Sequence, residues 1–231
     1  MEAFLPFYGR RKGRPLRNMP KRLLEELLPA YVVPNKTLDP AKLFTHNPRK
    51  LYLEIGFGGG EHLAMIAKNH PENAYIGAEP FLNGVSSFLK YCQNEALKNV
   101  RIWPDDIRLQ LSSWPNECLD GIFIMFPDPW PKIRHSSRRI INKDNLAAFA
   151  RLIKVGGSLR MASDHASAKN WILSGMLVNP YFDWTAESPD DWNVQPHDWP
   201  ETRYMRKALK EGRRPAWFDF KRVLVEPSEG A

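Results

Sequence analysis

Short apolar runs alternate along the chain with longer segments in which apolar residues recur at helical spacing. Five short runs predict buried strands, over residues 51–55, 74–78, 100–103, 119–126 and 158–162. Helical spacing predicts helices over 62–68, 82–97, 142–153 and 166–178, and over 20–28, where Pro29 ends the pattern. This alternation favours right-handed βαβ units and a parallel sheet covered by helices on both faces. Two later runs, 217–220 and 223–225, predict antiparallel strands at the sheet edge.

Acidic residues stand at the ends of the predicted strands. Glu79, Asp106, Asp128 and Asp164 each come at or just after such an end, and the glycine-rich stretch 56–60 follows the first strand. Because the carboxyl ends of parallel strands meet at one rim, which is where open α/β sheets bind ligands, we expect these acids to lie together. The pattern therefore predicts one acidic ligand site.

The glycine stretch discriminates between two nucleotide cofactors. A dinucleotide fingerprint that starts at Gly56 requires glycine at position 61, where this chain has Glu61. The observed spacing of Glu54, Gly56, Gly58 and Gly60 instead suits a nucleoside with an amino-acid tail, as in S-adenosylmethionine. A glycine turn without any ligand is the simpler alternative.

Three of the carboxylates have predicted partners on such a cofactor. We expect Glu54 to face its ammonium group, Glu79 to bind its ribose hydroxyls, and Asp106 to bind the exocyclic amine of adenine. An acidic rim also complements the positive charges of the sulfonium and ammonium groups. The predicted cofactor is therefore S-adenosylmethionine, with no metal.

The stretch IMFPDPWPK, residues 124–132, places three prolines around one acid. Proline fixes its own φ and restricts the residue before it, so Phe126, Asp128 and Trp130 are expected to be biased away from helix. The prolines thus hold the Asp128 carboxylate rigidly at a strand exit. An ordinary turn is the alternative, since Pro-Asp-Pro is common turn chemistry.

The net charge of +7 is unevenly distributed along the 231 residues. Three segments are basic: residues 1–22 hold seven basic residues and one acid, residues 132–143 hold five and none, and residues 201–214 hold six and two. The rest of the chain therefore carries more acids than bases. Such segments favour a polyanionic partner, because each neutralised phosphate releases counterions. Solvated loops, or a disordered basic arm, are the alternative.

Length and composition bound the remaining possibilities. The chain fits one α/β domain, which we place at 41–231, preceded at 1–40 by a basic arm and short helix. No apolar run approaches the ~20 residues of a membrane span, and the basic beginning lacks a secretory apolar segment. Cys92 and Cys118 form no metal-ligand spacing or disulfide framework. We expect a cytoplasmic protein; the sequence leaves monomer and homodimer open.

Several motifs together resemble the bacterial tRNA (guanine-N7)-methyltransferases, the TrmB family. They occur in the family order as LEIGFGGG, IGAE, DDI, FPDPWPKIRHSSRRI, MASDH and ETRY, and the likeness spans about residues 45–225. The resemblance implies a class I S-adenosylmethionine-dependent methyltransferase with a Rossmann-like α/β fold. Its seven-stranded mixed sheet has helices on both faces and an antiparallel last strand. The implied substrate is the variable-loop guanine 46 of tRNA.

The resemblance also assigns residues to roles. The cofactor set is Glu54, Gly56, Gly58, Glu79, Asp106 and Asp128. Asp128 is also the implied active-site acid. The substrate set is Lys132, Arg134, Arg138, Asp164, Thr202, Arg203 and Tyr204. The chain departs from the family at Met205, where glutamate is usual, which puts in doubt any contact of that glutamate with the guanine.

Guanine N7 carries a bare lone pair, so no proton need be removed before it attacks a methyl group. We therefore expect Asp128 to bind the N1–H and N2–H edge of the base or to stabilise the migrating charge. Asp164 shares that recognition, Trp130 stacks on a base or packs internally, and Arg139 joins the phosphate contacts. Residues 1–22 are expected to order on RNA.

Two rival functions stay open. An adenine or cytosine amino-methyltransferase carries a D-P-P-Y type loop, which Asp128-Pro129-Trp130 matches in part, although Pro131 replaces the aromatic residue. A non-catalytic RNA-binding protein on the same fold is the other, and the intact set of acids argues against it.

Overall fold

The computed structural model describes residues 7–225, which form one seven-stranded sheet in the order β3-β2-β1-β4-β5-β7-β6. The strands are β1 Leu51–Ile55, β2 Ala74–Ala78, β3 Val100–Trp103, β4 Leu119–Met125, β5 Ile153–Ser163, β6 Phe182–Trp184 and β7 Ala216–Arg222. Strands β1 to β5 pair in parallel, and β7 runs antiparallel to both of its neighbours. The predicted mixed sheet with an antiparallel last strand is confirmed.

Helices connect these strands along the chain. They are α1 Asn18–Arg22, α2 Leu28–Tyr31, α3 Glu61–Asn69, α4 Leu82–Asn94, α5 Arg108–Leu111, α6 Lys143–Leu152, α7 Ala166–Met176, α8 Asp190–Asn193 and α9 Arg203–Lys210. A π-helical turn, Leu23–Leu27, joins α1 to α2, and 3₁₀ turns occur at Pro40–Leu43 and Ile133–Arg138. Asn142 caps α6, because its side chain accepts a hydrogen bond from Asn145 N.

Two apolar cores lie on opposite faces of the sheet. On one face α3 and α4 bury residues such as Leu63 and Phe88. On the other face α6 and α7 bury residues such as Phe149 and Ile172. Burial on both faces requires nearly continuous apolar strands, as observed. The sheet therefore exposes its polar functional groups at the strand ends.

Several predicted boundaries are wrong. The first helix does not end at Pro29, because the preceding π-helical turn changes the hydrogen-bond pattern and Pro29 falls in the first turn of α2, where its missing N–H is tolerated. Residues 223–225 form no strand, since β7 ends at Arg222. The three-residue β6 was too short to give a periodic signal.

The amino-terminal region packs on the sheet and its helices. Leu23 is buried with α3 and α4, while Val33 donates its backbone N–H to Ile102 O at 2.8 Å. The division of the chain near residue 40 stays a prediction. Within residues 7–225, no helix combines the length and apolar character needed to cross a bilayer.

Candidate active site

A cavity of about 750 Å³ opens at the carboxyl ends of the parallel strands. Its lining brings together Glu79, Asp106 and Asp128, as the strand-end pattern predicted, and also includes Glu54. The fourth predicted acid, Asp164, lies outside the lining, so the prediction is wrong for that residue. Glu54, Glu79 and Asp106 are buried, whereas Asp128 is exposed at the mouth. The site therefore has a closed acidic interior and one acid near solvent.

The glycine loop and Glu79 hold each other in place. Gly56, Gly58 and Gly60 all have positive φ, a conformation that favours glycine. Glu79 Oε2 accepts a hydrogen bond from Gly58 N at 2.7 Å, and Oε1 accepts one from Phe81 N at 2.9 Å. Burial raises the pKa of Glu79, and the charges of Asp128 and Glu54 raise it further, while the two backbone hydrogen bonds oppose the shift.

Helix α4 approaches this loop closely at Gly84. A Cβ at Gly84 would lie 2.3 Å from Gly58 O, a backbone atom that cannot yield without moving the loop. The same Cβ would lie 3.3 Å from Glu79 Cγ. Because residue 84 is glycine, α4 can approach the glycine loop, residues 56–60, closely enough to contact it.

Glu54 is bound to a histidine that the sequence reasoning missed. His62 Nδ1 lies 2.7 Å from Glu54 Oε2, and both side chains are almost fully buried. The imidazole also packs against Phe123 and Trp199. His62 therefore fixes the orientation of the Glu54 carboxylate inside the cavity.

The Asp106 carboxylate has a cationic partner within the chain. Arg108 contacts it through Nε at 2.9 Å and through Nη2 at 2.6 Å, and the Arg108 backbone N–H also donates to it. The adjacent Asp105 pairs with Arg11 at 2.6 Å. A nucleobase amine at Asp106 would share this carboxylate with Arg108.

The proline-flanked loop has left-handed backbone at two bulky residues. Phe126 and Trp130 have φ of 50° and 37°, which lies outside the right-handed helical region that the prolines were expected to disfavour. Left-handed backbone at bulky residues is strained and persists only where surrounding contacts enforce it. Between them, within residues 7–225, the Asp128 side chain has no hydrogen-bond or ion-pair partner.

Arg139 supplies the contacts that hold this loop. Its guanidinium donates to Pro129 O at 3.2 Å and to Trp130 O at 2.8 Å, and it stacks 4.2 Å from the ring centroid of Trp171. Only 8% of Arg139 is exposed. The expectation that Arg139 contacts phosphate is therefore wrong, because its guanidinium is buried and faces the protein interior.

The other basic residues of the loop are available at the surface. Lys132 and Arg134 are exposed, and Arg138 lies over the rings of Tyr8 and Trp130, at 4.5 and 5.0 Å from their centroids. Partial burial and the cations Arg138, Arg134 and Lys132 lower the pKa of nearby His135. A basic strip thus borders the cavity.

The predicted substrate residues near the carboxyl terminus separate into two places. Thr202 and Tyr204 line the cavity, and the Thr202 hydroxyl caps α9 by accepting from Met205 N at 3.2 Å. Arg203 is paired with Glu61, and Asp164 lies outside the lining, where it accepts from Arg213 Nε at 2.7 Å.

Met205, where the family usually has glutamate, points away from the cavity lining. It is 8% exposed and packs with Ala162, Trp199 and Trp217 in a small apolar cluster. At this position the chain therefore makes a packing contact, and base recognition would fall to other residues.

The amino-terminal segment crosses the cavity mouth. Phe7, Tyr8, Gly9 and Arg10 all contribute to the lining. Farther along, Leu82 N donates to the Arg11 carbonyl at 3.0 Å, and the Asn83 side chain bonds the backbone of residues 13 and 14. Of residues 1–22, which were expected to order on RNA, residues 1–6 lie outside the described part of the chain. Residues 7–14 have docking contacts in the protein alone.

Comparison with known proteins places the chain in a family. A family model described as "Putative methyltransferase" matches residues 48–217. The chain is 48% identical to a tRNA (guanine-N(7)-)-methyltransferase of Rhodospirillum rubrum, over 94% of this chain and 87% of that protein. It is 42% identical to a protein of the same name from Agrobacterium fabrum, over 93% and 94%.

Solved structures resemble the fold at low sequence identity. A 16S rRNA (adenine(1408)-N(1))-methyltransferase from Catenulisporales acidiphilia aligns with a TM-score of 0.53 at 13% identity, covering 85% of this chain and 98% of that one. A SAM-dependent O-methyltransferase from Thermotoga maritima gives 0.52 at 13%, covering 92% and 74%. The predicted class I methyltransferase fold is confirmed.

Proposed function

Because the chain belongs to the tRNA (guanine-N(7)-)-methyltransferase family, we propose that it transfers a methyl group from S-adenosylmethionine to N7 of guanine 46 in tRNA. One observation carries the proposal: the Asp128 carboxylate, which has no partner among the described residues 7–225, stands between a cavity with buried acids and a basic strip. We also propose that the protein works in the cytoplasm, where its tRNA substrate occurs.

The residues of the cavity fit S-adenosylmethionine. Both Glu79 oxygens are fixed by backbone N–H groups and keep lone pairs for ribose hydroxyls. Glu54 is held for an ammonium group, and Asp106 for an adenine amine beside Arg108. Gly56 and Gly58 leave the loop free of side chains. When bound, the cofactor supplies an electrophilic methyl group.

Asp128 acts on the guanine. Its carboxylate can accept hydrogen bonds from N1–H and N2–H of the base, which orients N7 and stabilises positive charge on the ring. Methylation of N7 requires alignment and no proton removal, and alignment can contribute ~7–11 kcal/mol in favourable cases. Arg139 fixes the loop carbonyls on either side of Trp130, so the carboxylate stays in place.

The basic strip positions the RNA. Lys132, Arg134 and Arg138 bind phosphates, which orients the tRNA without reading its sequence. Thr202 and Tyr204, which line the cavity, meet the nucleoside there. Within residues 7–225, no cluster of three or more His, Cys, Asp or Glu side chains is arranged to hold a metal ion.

The test uses the full chain, labelled S-adenosylmethionine and an unmodified tRNA transcript, with the product nucleoside identified by mass spectrometry. We expect N7-methylguanosine, and none from a transcript that has adenine at position 46. A methylated adenine or cytosine amine would overturn the proposal in favour of an amino-methyltransferase. Absence of S-adenosylmethionine binding in calorimetry would favour a non-catalytic RNA-binding protein.

A further inference from the structure

Glu61 occupies the position at which a dinucleotide fingerprint has its third glycine. It is the first residue of α3, where a carboxylate is favoured by the helix dipole. Its Oε2 accepts a hydrogen bond from Arg203 N at 2.6 Å, and its Oε1 pairs with Arg203 Nε. One side chain of the cofactor loop thus binds both the backbone and the side chain of a residue 142 positions away.

The segment that Glu61 holds carries two predicted substrate residues. Thr202 and Tyr204 flank Arg203, and both line the cavity. The segment lies directly over the glycine loop, since a Cβ on Gly58 would be 3.6 Å from Tyr204 Cε2 and one on Gly59 would be 2.5 Å from Arg203 Nη2. The cofactor loop and this segment are therefore adjacent surfaces of one site.

The Glu61 contact is more than an exposed ion pair. The Arg203 side chain is 62% exposed, so its charge pairing alone contributes little. The bond from the Arg203 backbone N–H to a carboxylate that is only 17% exposed is stronger, because it is charge-assisted and partly shielded from water. It also satisfies one of the free N–H groups at the start of α9.

We propose that Glu61 is a positioning residue that fixes the segment 202–204 at the cavity, so that Thr202 and Tyr204 meet the target nucleoside. Arg203 serves this arrangement as the partner of Glu61 and does not bind a phosphate. This inference rests on the proposed function, and it makes tRNA affinity depend on a side chain of the cofactor loop.

The test compares Glu61→Ala, Glu61→Gln and Arg203→Ala in the full chain. Affinity for tRNA is measured by filter binding, cofactor affinity by calorimetry, and kcat and KM by methyl transfer. We expect Glu61→Ala to raise the tRNA Kd and KM about tenfold, the effect of one hydrogen bond to a charged group. Cofactor affinity should stay close to that of the wild type.

The other two variants should lose less tRNA affinity than Glu61→Ala. Glu61→Gln keeps an acceptor for Arg203 N and should lose less tRNA affinity than Glu61→Ala. Arg203→Ala keeps the backbone contact, so it should also lose less and leave the salt dependence of tRNA binding unchanged. Glu95→Gln is the control, because Glu95 forms a 2.7 Å pair with Lys68 away from the cavity.

Two results would overturn the inference. One is a tRNA Kd unchanged in Glu61→Ala, and the other is a larger loss with a reduced salt slope in Arg203→Ala, which would make Arg203 a phosphate contact. If Glu61→Ala fails to fold in a thermal melt, Glu61→Gln gives the decision by the same measurements. Failure of the wild-type chain to form N7-methylguanosine would count against the proposed function, while the binding comparison would still test Glu61.

Discussion

The side of the cavity proposed to bind the cofactor, here the cofactor side, and the side proposed to bind tRNA, here the RNA side, are built differently. On the cofactor side, Glu54, Glu79 and Asp106 are buried and each is bound by another group of the protein. On the RNA side, Lys132 and Arg134 are exposed cations at a short 3₁₀ turn. The carboxylates of the first side thus have partners within the protein, whereas the cations of the second face solvent.

Asp128 belongs to neither pattern, since it is exposed yet rigidly mounted. Its loop is held by Arg139, a buried cation, while the carboxylate is exposed and has no hydrogen-bond or ion-pair partner among residues 7–225. The comparison teaches that a carboxylate can be held in place by anchoring its backbone and not by burying its side chain.

Removing the Asp128 charge should break the site most severely. For Asp128→Asn we expect kcat to fall about 100- to 1,000-fold, the usual loss when one preorganised electrostatic group is removed. Methyl transfer gives kcat, and calorimetry should show that the cofactor still binds. Turnover near that of the wild type would refute the role of Asp128.

Crowding the cofactor side should have the next largest effect. In Gly84→Ala the added Cβ meets Gly58 O, so the loop must shift, and we expect cofactor affinity in calorimetry to fall about 10- to 100-fold. Gly175→Ala is the matched control, because that helical glycine has open space around it. Equal cofactor affinity in the two variants would show that the close approach of α4 is dispensable.

Weakening the RNA side should give a smaller, salt-dependent change. In Lys132→Ala/Arg134→Ala we expect the tRNA KM to rise several-fold and the slope of log KM against log salt to fall by about one to two, as for two lost phosphate contacts. Cofactor affinity should not change. A salt slope equal to that of the wild type would exclude these residues as phosphate contacts.

Mild acid should produce the smallest effect on cofactor binding. Burial raises the pKa of Glu79, so its proton returns at a higher pH than for an exposed glutamate. Protonation contributes stability to the free protein as the pH falls, but it removes the acceptor for ribose hydroxyls. We expect cofactor affinity to weaken as the pH is lowered, and Glu79→Gln to abolish that dependence in calorimetry.

The sequence predicts the cofactor side better than its surroundings. In a parallel sheet the carboxyl ends of the strands meet at one rim, so residues that follow the strands lie close together. The topology therefore brings Glu79 and Asp106 to one cavity. The helix cap at Asn142 was likewise predictable, because it depends on neighbours three residues apart.

Contacts between distant segments gave no such signal. Arg138 and Arg139 are neighbours of the same residue type, but their environments differ. Arg139 is buried under the loop, whereas Arg138 lies at the surface. His62 and Gly84 matter through partners on other elements, which only the folded chain supplies. The left-handed Phe126 contradicts the local rule for a residue before proline, because tertiary contacts override it.

The path of residues 7–10 across the cavity mouth has a practical consequence for handling the protein. Bulk or charge added at residues 7–10 would lie at the cavity mouth. A label at Arg222 avoids this, since β7 runs away from the cavity and ends at Arg222, at the opposite end of the parallel strands.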